Sequence, residues 1–101
     1  MVLAEVSIIP LGTKTPSVSK YVARAVNVLR EEKDVKHELT SMGTIIQGDL
    51  ESILTVIGKM HQSVFNEGIM RVVTTIKIDD RRDKPLSMSG KVESLMKELG
   101  H

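Results

Sequence analysis

Hydrophobic and polar positions change period along this chain in an order that defines its elements. From Val2 to Ile9, Ala4, Val6 and Ile8 alternate with Leu3, Glu5, Ser7 and Ile9, the period-two pattern of a strand with one apolar and one mixed face. Pro10 and Gly12 are expected to end it. Thr15 then caps a helix with Pro16 in its first turn, where a missing N–H is harmless, and Val18, Val22, Ala25 and Leu29 follow at helical spacing. The charge cluster Arg30-Glu31-Glu32-Lys33-Asp34 reads as a solvated helix end and loop.

Period two returns with Val35, His37, Leu39 and Ser41 against Lys36, Glu38, Thr40 and Met42, and again from Thr44 to Gly48. A tight hairpin joins these strands, with Gly43 expected at positive φ. Asp49 is placed to cap a second helix whose stripe is Leu50, Ile53, Leu54, Ile57, Met60, His61 and Val64, before Asn66 and Gly68 stop it. A fourth strand, Met70 to Asp79, sets Met70, Val72, Thr74, Ile76 and Ile78 inward against Arg71, Val73, Thr75, Lys77 and Asp79. The order βαββαβ predicts an α+β fold, a ferredoxin-like sandwich with two helices on one side of a four-stranded antiparallel sheet. One domain spans residues 1–101, with the core in 1–84. Pro85 and Ser87 introduce an extra C-terminal helix, about residues 87–99, whose Met88, Val92, Leu95, Met96 and Leu99 need a surface to bury against. A second subunit is the expected surface.

The two faces of the sheet make unequal demands. The helix-free face carries Leu3, Glu5, Ser7, Ile9, Arg71, Val73, Thr75 and Lys77. Its aliphatic members are uncomfortable in water and its charges need partners if buried, so a dimer through the sheet faces is expected, with tetramers through the last helix or the strand edges. Those polar residues read as dimer contacts or as readers of a ligand at the interface.

Composition removes several functions. A net charge of +1 gives no drive toward nucleic acid or acidic membranes, and with aromatics at 2 % a base-stacking surface has no material. No cysteine is present, which excludes thiolate metal sites and cysteine nucleophiles. Met1 to Val6 lacks a basic leader, and no apolar run approaches the roughly 18 residues of a membrane span, so a cytoplasmic location is expected. His37, His61 and His101 have no ligand spacing, so no metal is expected, and His61 reads as a satisfied, half-buried side chain. The arginines of Asp79-Asp80-Arg81-Arg82-Asp83 are flanked by carboxylates that repel anions, and the segment reads as a salt-bridge cluster. An acylphosphatase-type enzyme would want an arginine in a glycine-rich anion loop after the first strand, whereas Gly12-Thr13-Lys14-Thr15 offers one glycine and a lysine. No catalytic residues are assigned.

Gly43, Thr44 and Gln47 offer a backbone amide, a hydroxyl and a carboxamide, the sparse polar set that orients a heterocycle in an apolar pocket. Turn chemistry accounts for the same residues. Met42-Gly43-Thr44-Ile45-Ile46-Gln47-Gly48, Pro10-x-Gly12, Ser19-x-Tyr21-Val22-Ala23 and Gly68-Ile69-Met70-Arg71 together resemble the thiamine-binding, YkoF-like family over Val2 to about Asp83. That resemblance implies no enzyme and no cofactor, but a small-molecule ligand, thiamine or its hydroxymethylpyrimidine moiety, held between subunits by groups among Ser7, Gly43, Thr44, Gln47, Arg71 and Thr75. Where the family commonly has Glu, this chain has Gln47, which hydrogen-bonds but cannot balance a thiazolium charge. An oligomeric regulatory domain sensing a different metabolite shares the architecture.

Overall fold

A computed structural model describes residues 1–13, 19–65, 68–83 and 87–100. Thr15, Pro16, Val18, Asn66, Pro85 and His101 lie outside the described residues. The elements run β1 (Val2–Leu11), α1 (Ser19–Arg30), β2 (Lys36–Thr40), β3 (Gly43–Gly48), α2 (Leu50–Phe65), β4 (Arg71–Asp80) and α3 (Met88–Glu98). The strands form one antiparallel sheet in the order β2-β3-β1-β4, with β1 in the interior between both partners of the split β-α-β. This is the ferredoxin-like sandwich with an added C-terminal helix.

Alternation places Val2, Ala4, Val6 and Ile46 under the helices, where they meet Ala25 and Leu29 of α1 and Ile53, Val56, Ile57, Met60 and Val64 of α2. Ile46 and Ile53 are fully buried at the centre of this core. The helices use their faces differently from a simple stripe. In α2, Val56 is buried while Leu50 and Leu54 stay exposed, because the buried arc is turned toward α1 as well as toward the sheet. On the opposite flank, His61 Nδ1 lies 2.6 Å from Thr74 Oγ1 of β4, so this histidine is half-buried and hydrogen-bonded. In α1 the core side is Tyr21, Ala25, Val28 and Leu29, which leaves Val22 exposed.

Three further details follow from local chemistry. β1 continues through Pro10 to Leu11 instead of stopping, since β3 no longer pairs with it there and an N–H is not required on that side. The β2–β3 hairpin closes through Ser41-Met42, with Thr40 Oγ1 donating to Gly43 O at 2.8 Å and accepting from Met42 N–H at 3.2 Å. Gly43 is not at positive φ; the described residues with that conformation are Gly12, Gly68 and Gly100. Its requirement is close approach, because a Cβ at position 43 would lie 2.9 Å from Val6 O. Gly68 supplies the left-handed turn after α2, its N–H donating to Phe65 O at 3.3 Å.

Gly43 and Gly58 therefore carry opposite expectations under the same substitution. Gly43→Ala forces the β1–β3 backbones apart and destabilises by about 1–3 kcal/mol, whereas Gly58→Ala, in mid-helix with nothing within 4 Å of the new methyl, stabilises by about 1 kcal/mol. Urea denaturation of both variants checks the signs.

Candidate ligand site

β1 outruns its neighbour on one side. Its ladder with β3 ends at Val6–Thr44, while its ladder with β4 continues to Leu11–Arg71. From Ser7 onward every second residue of β1 turns its N–H and C=O toward the gap left beyond the hairpin. Val22, Ala25 and Val26 of α1 stand over this notch, with Met60 of α2 behind, and enclose a cleft of about 290 Å³. Val6 and Ile8 form its apolar side; Ser7, Thr40, Ser41, Gly43 and Thr44 bring the polar atoms. Among the described residues no charged one lines it.

Thr44 is the buried polar residue of this cleft, at 6 % exposure. Its hydroxyl makes no hydrogen bond to a described residue. Among the described residues no buried side-chain nitrogen or oxygen is left unpaired, so the Thr44 hydroxyl must reach open space, and the space available is the cleft. A donor and acceptor aimed into an apolar hollow is the arrangement that fixes a heterocycle's orientation.

Of the six residues singled out in the sequence, Ser7, Gly43 and Thr44 meet at this cleft. Thr75 lies across the ladder from Ser7 on the helix-free face. Gln47 and Arg71 are far apart: Gln47 faces Leu3 and Arg71 faces Leu11, eight residues of extended β1 that span about 26 Å. One small ligand on one chain cannot touch both. The apolar walls, Val22, Val26 and Leu39 among them, are not marked by the pattern, because Val22 has the spacing of a core residue and Leu39 that of an ordinary strand position. A mismatch between the lengths of the paired strand patterns was the available signal.

Gln47 has a different partner. Its Oε1 accepts the N–H of Met88 at 3.1 Å, while Ser87 caps α3 by accepting from Gly90 N–H at 2.9 Å. Lys91 pairs with Asp79, so the first turn of α3 is fastened to the helix-free face at two points. Beneath it a groove of about 740 Å³ runs over Leu3, Glu5, Ile45 and Lys77, with Met88 and Val92 on its other side. Farther on, Arg81 binds Asp83 at 2.6 Å and Arg82 binds Asp80 at 3.1 Å. These hydrogen-bonded carboxylates raise both guanidinium pKa values, which makes the segment a set of local ion pairs rather than an anion site. Glu32 raises the pKa of Lys59 in the same way, through a 2.7 Å contact between the end of α1 and α2.

Fold and site describe a small α+β domain: a sheet with a partly apolar cleft lined by no charged described residue, and no described group of three or more His, Asp or Glu placed to hold a metal. No described helix is long and apolar enough to cross a membrane. The chain belongs to the thiamine-binding protein family, whose model matches residues 4–96. It is similar to the UPF0045 protein YqgV of Bacillus subtilis, 46 % identical over 98 % of both chains. Its fold matches the crystal structure of the hypothetical protein MJ1052 from Methanocaldococcus jannaschii with a TM-score of 0.86, at 46 % identity over 93 % of this chain and 94 % of that one. A candidate thiamine biosynthesis/salvage protein of Thermotoga maritima shares the fold at a TM-score of 0.76 and 17 % identity, over 93 % of this chain and 97 % of that one. The family is described by binding and not by a reaction.

Removing the carboxamide that holds α3 has a local consequence. In Gln47→Ala the amides of the first turn of α3 exchange with solvent at least several-fold faster while those of β1 and α2 keep their protection, as hydrogen exchange would show. Uniform loss of protection would count against the latch.

Proposed function

We propose that this protein binds thiamine or its hydroxymethylpyrimidine moiety, with the pyrimidine ring in the cleft beyond the end of β3. The observation that carries this reading is the Thr44 hydroxyl, without a hydrogen bond to a described residue and open to a largely apolar hollow, beside the β1 edge that β3 leaves unpaired. An aminopyrimidine presents ring-nitrogen acceptors next to an amine donor. The alternating N–H and C=O of β1 past Val6, with the hydroxyl of Thr44, complement that edge, and Val22, Val26 and Ile8 cover the ring faces. Among the described residues the cleft holds no carboxylate for a thiazolium, and Gln47 stands at the other end of the ladder. Recognition therefore falls on the neutral half of thiamine.

A second copy of the chain covers the opposite face of the sheet. Val92, Leu95 and Leu99 of α3 are each more than half exposed, as is Met42 at the hairpin tip, and Ile9 and Val73 lie uncovered on the helix-free face. That much aliphatic surface on a domain of this size is best covered by self-association through the sheets, with α3 reaching onto the partner.

Isothermal titration calorimetry with thiamine and with hydroxymethylpyrimidine tests the ligand. Saturable binding of both, with affinities within a few-fold of each other, is expected. Thr44→Val, nearly isosteric but without the hydroxyl, lowers both by about tenfold, the value of one hydrogen bond to a buried polar edge. No saturable heat from either compound would sink the assignment and leave a fold that senses another metabolite.

Assembly is tested separately. A chain ending at Asp83 lacks α3 and should sediment as a smaller species than the full-length protein; an unchanged mass would remove α3 from the interface.

A further inference from the structure

Beside the ring cleft lies a second hollow of about 570 Å³ between α1 and the helix-side face of β2, and the two share Val22, Val26 and Leu39 as a common wall. Along α1, Val22, Val26 and Arg30 follow at four-residue intervals, which puts Arg30 one turn, about 6 Å, beyond the last shared apolar residue. Along β2, His37 lies two residues from Leu39 on the same face, about 7 Å away. Both walls therefore change from apolar to cationic or hydrogen-bonding at the same depth. Asn27 adds a carboxamide, and among the described residues no carboxylate lines the hollow.

Neither group is occupied elsewhere. Arg30 makes no ion pair with a described residue, whereas Lys59, Arg81, Arg82 and Lys91 are all paired. His37 has no side-chain hydrogen bond among the described residues. The carbonyl end of α1 places a partial negative charge near Arg30, but a full guanidinium charge outweighs the helix's half charge. What remains, lining one hollow, is a guanidinium without an ion pair to a described residue and an imidazole without a side-chain hydrogen bond, the kinds of group that take the oxygens of a phosphate.

We propose that the ligand carries a phosphate ester, its ring in the cleft and its phosphate between Arg30 and His37. The inference rests on the reading of the cleft as a pyrimidine site, and it names the ligand class more narrowly: a neutral heteroaromatic ring with a phosphate on a short arm. The separation of about one helical turn matches an ester on the ring's hydroxymethyl group or on a slightly longer bridge. An unphosphorylated ring leaves the arginine unused.

The test is calorimetry of the full-length protein with hydroxymethylpyrimidine, its phosphate ester and inorganic phosphate, each also titrated into Arg30→Met and His37→Asn. The ester should bind about tenfold more tightly than the alcohol, in line with one charge-assisted contact. Arg30→Met should abolish that advantage while leaving the affinity for the alcohol unchanged, a result that mere unfolding could not produce. His37→Asn should reduce it in part. Inorganic phosphate should bind weakly and lose its binding in Arg30→Met. If the alcohol binds and the ester binds no better, or if the ester's advantage survives both substitutions, the phosphate site is overturned while the pyrimidine cleft stands. If the ester binds with Arg30 dependence and the alcohol does not bind at all, the phosphate site stands and the ring assignment fails. Silence from all three compounds overturns both.

Discussion

A single mismatch of strand lengths organises this molecule. β1 needs ten residues to serve β4, whereas β3 is six residues long and reaches only to Val6. The hairpin turns back at Ser41-Met42 because Thr40 ties to Gly43, and Gly43 can lie against Val6 only by having no side chain. Past that point the sheet has a missing corner. Beyond Val6 the β3-facing backbone groups of β1 have no strand partner among the described residues, beside an apolar helix, where an uncompensated polar group costs about 1–3 kcal/mol.

The same mismatch explains how the helices sit. α2 takes the core over β1 and leans toward α1, as the burial of Val56 and the contact between Lys59 and Glu32 show. α1 uses its Tyr21, Ala25 and Leu29 face for that core and so turns Val22, Val26 and Arg30 over the missing corner and the edge strand β2. Helix-side residues of β2 are left without a cover, which is why His37 and Leu39 line a hollow rather than a core. The helix-free face meets the opposite solution. There α3 is fastened at its first turn by Gln47 and Asp79 and then runs outward with its apolar side bare.

Strand phases were legible from alternation alone, because one slip would have put Ala4 and Val6 outside and Glu5 inside. The order of elements was equally legible, and the motif around Met42-Gly43-Thr44 carried the family. Local pattern could not reveal which face of an amphipathic helix is turned toward a neighbour: Val22 and Leu54 have the spacing of core residues and lie on exposed flanks. Spacing also could not measure distance across the sheet. Gln47 and Arg71 look like two ends of one polar set in the sequence, and the antiparallel register sends them to opposite ends of β1. Gly43 was correctly marked as necessary for the wrong reason, since close approach of two backbones leaves no signature separate from a turn.

The departure at residue 47 gains a physical sense from its contact. A carboxylate at that position could not be replaced by a carboxamide without loss if its charge faced a cation. Here the Oε1 of Gln47 accepts a backbone N–H at the start of a helix, a place where an amide oxygen and a carboxylate oxygen both serve, and where the charge contributes only the modest helix-dipole increment of about 0.3–1 kcal/mol. Position 47 then governs where α3 begins, and through it how the helix-free face is covered. The cleft with Thr44 thus lies on the helix side of the sheet and the latch with Gln47 on the other, three positions apart on the same strand β3 and so on opposite faces. Because successive strand positions point to opposite faces, a substitution on one face leaves the side chains of the other in place.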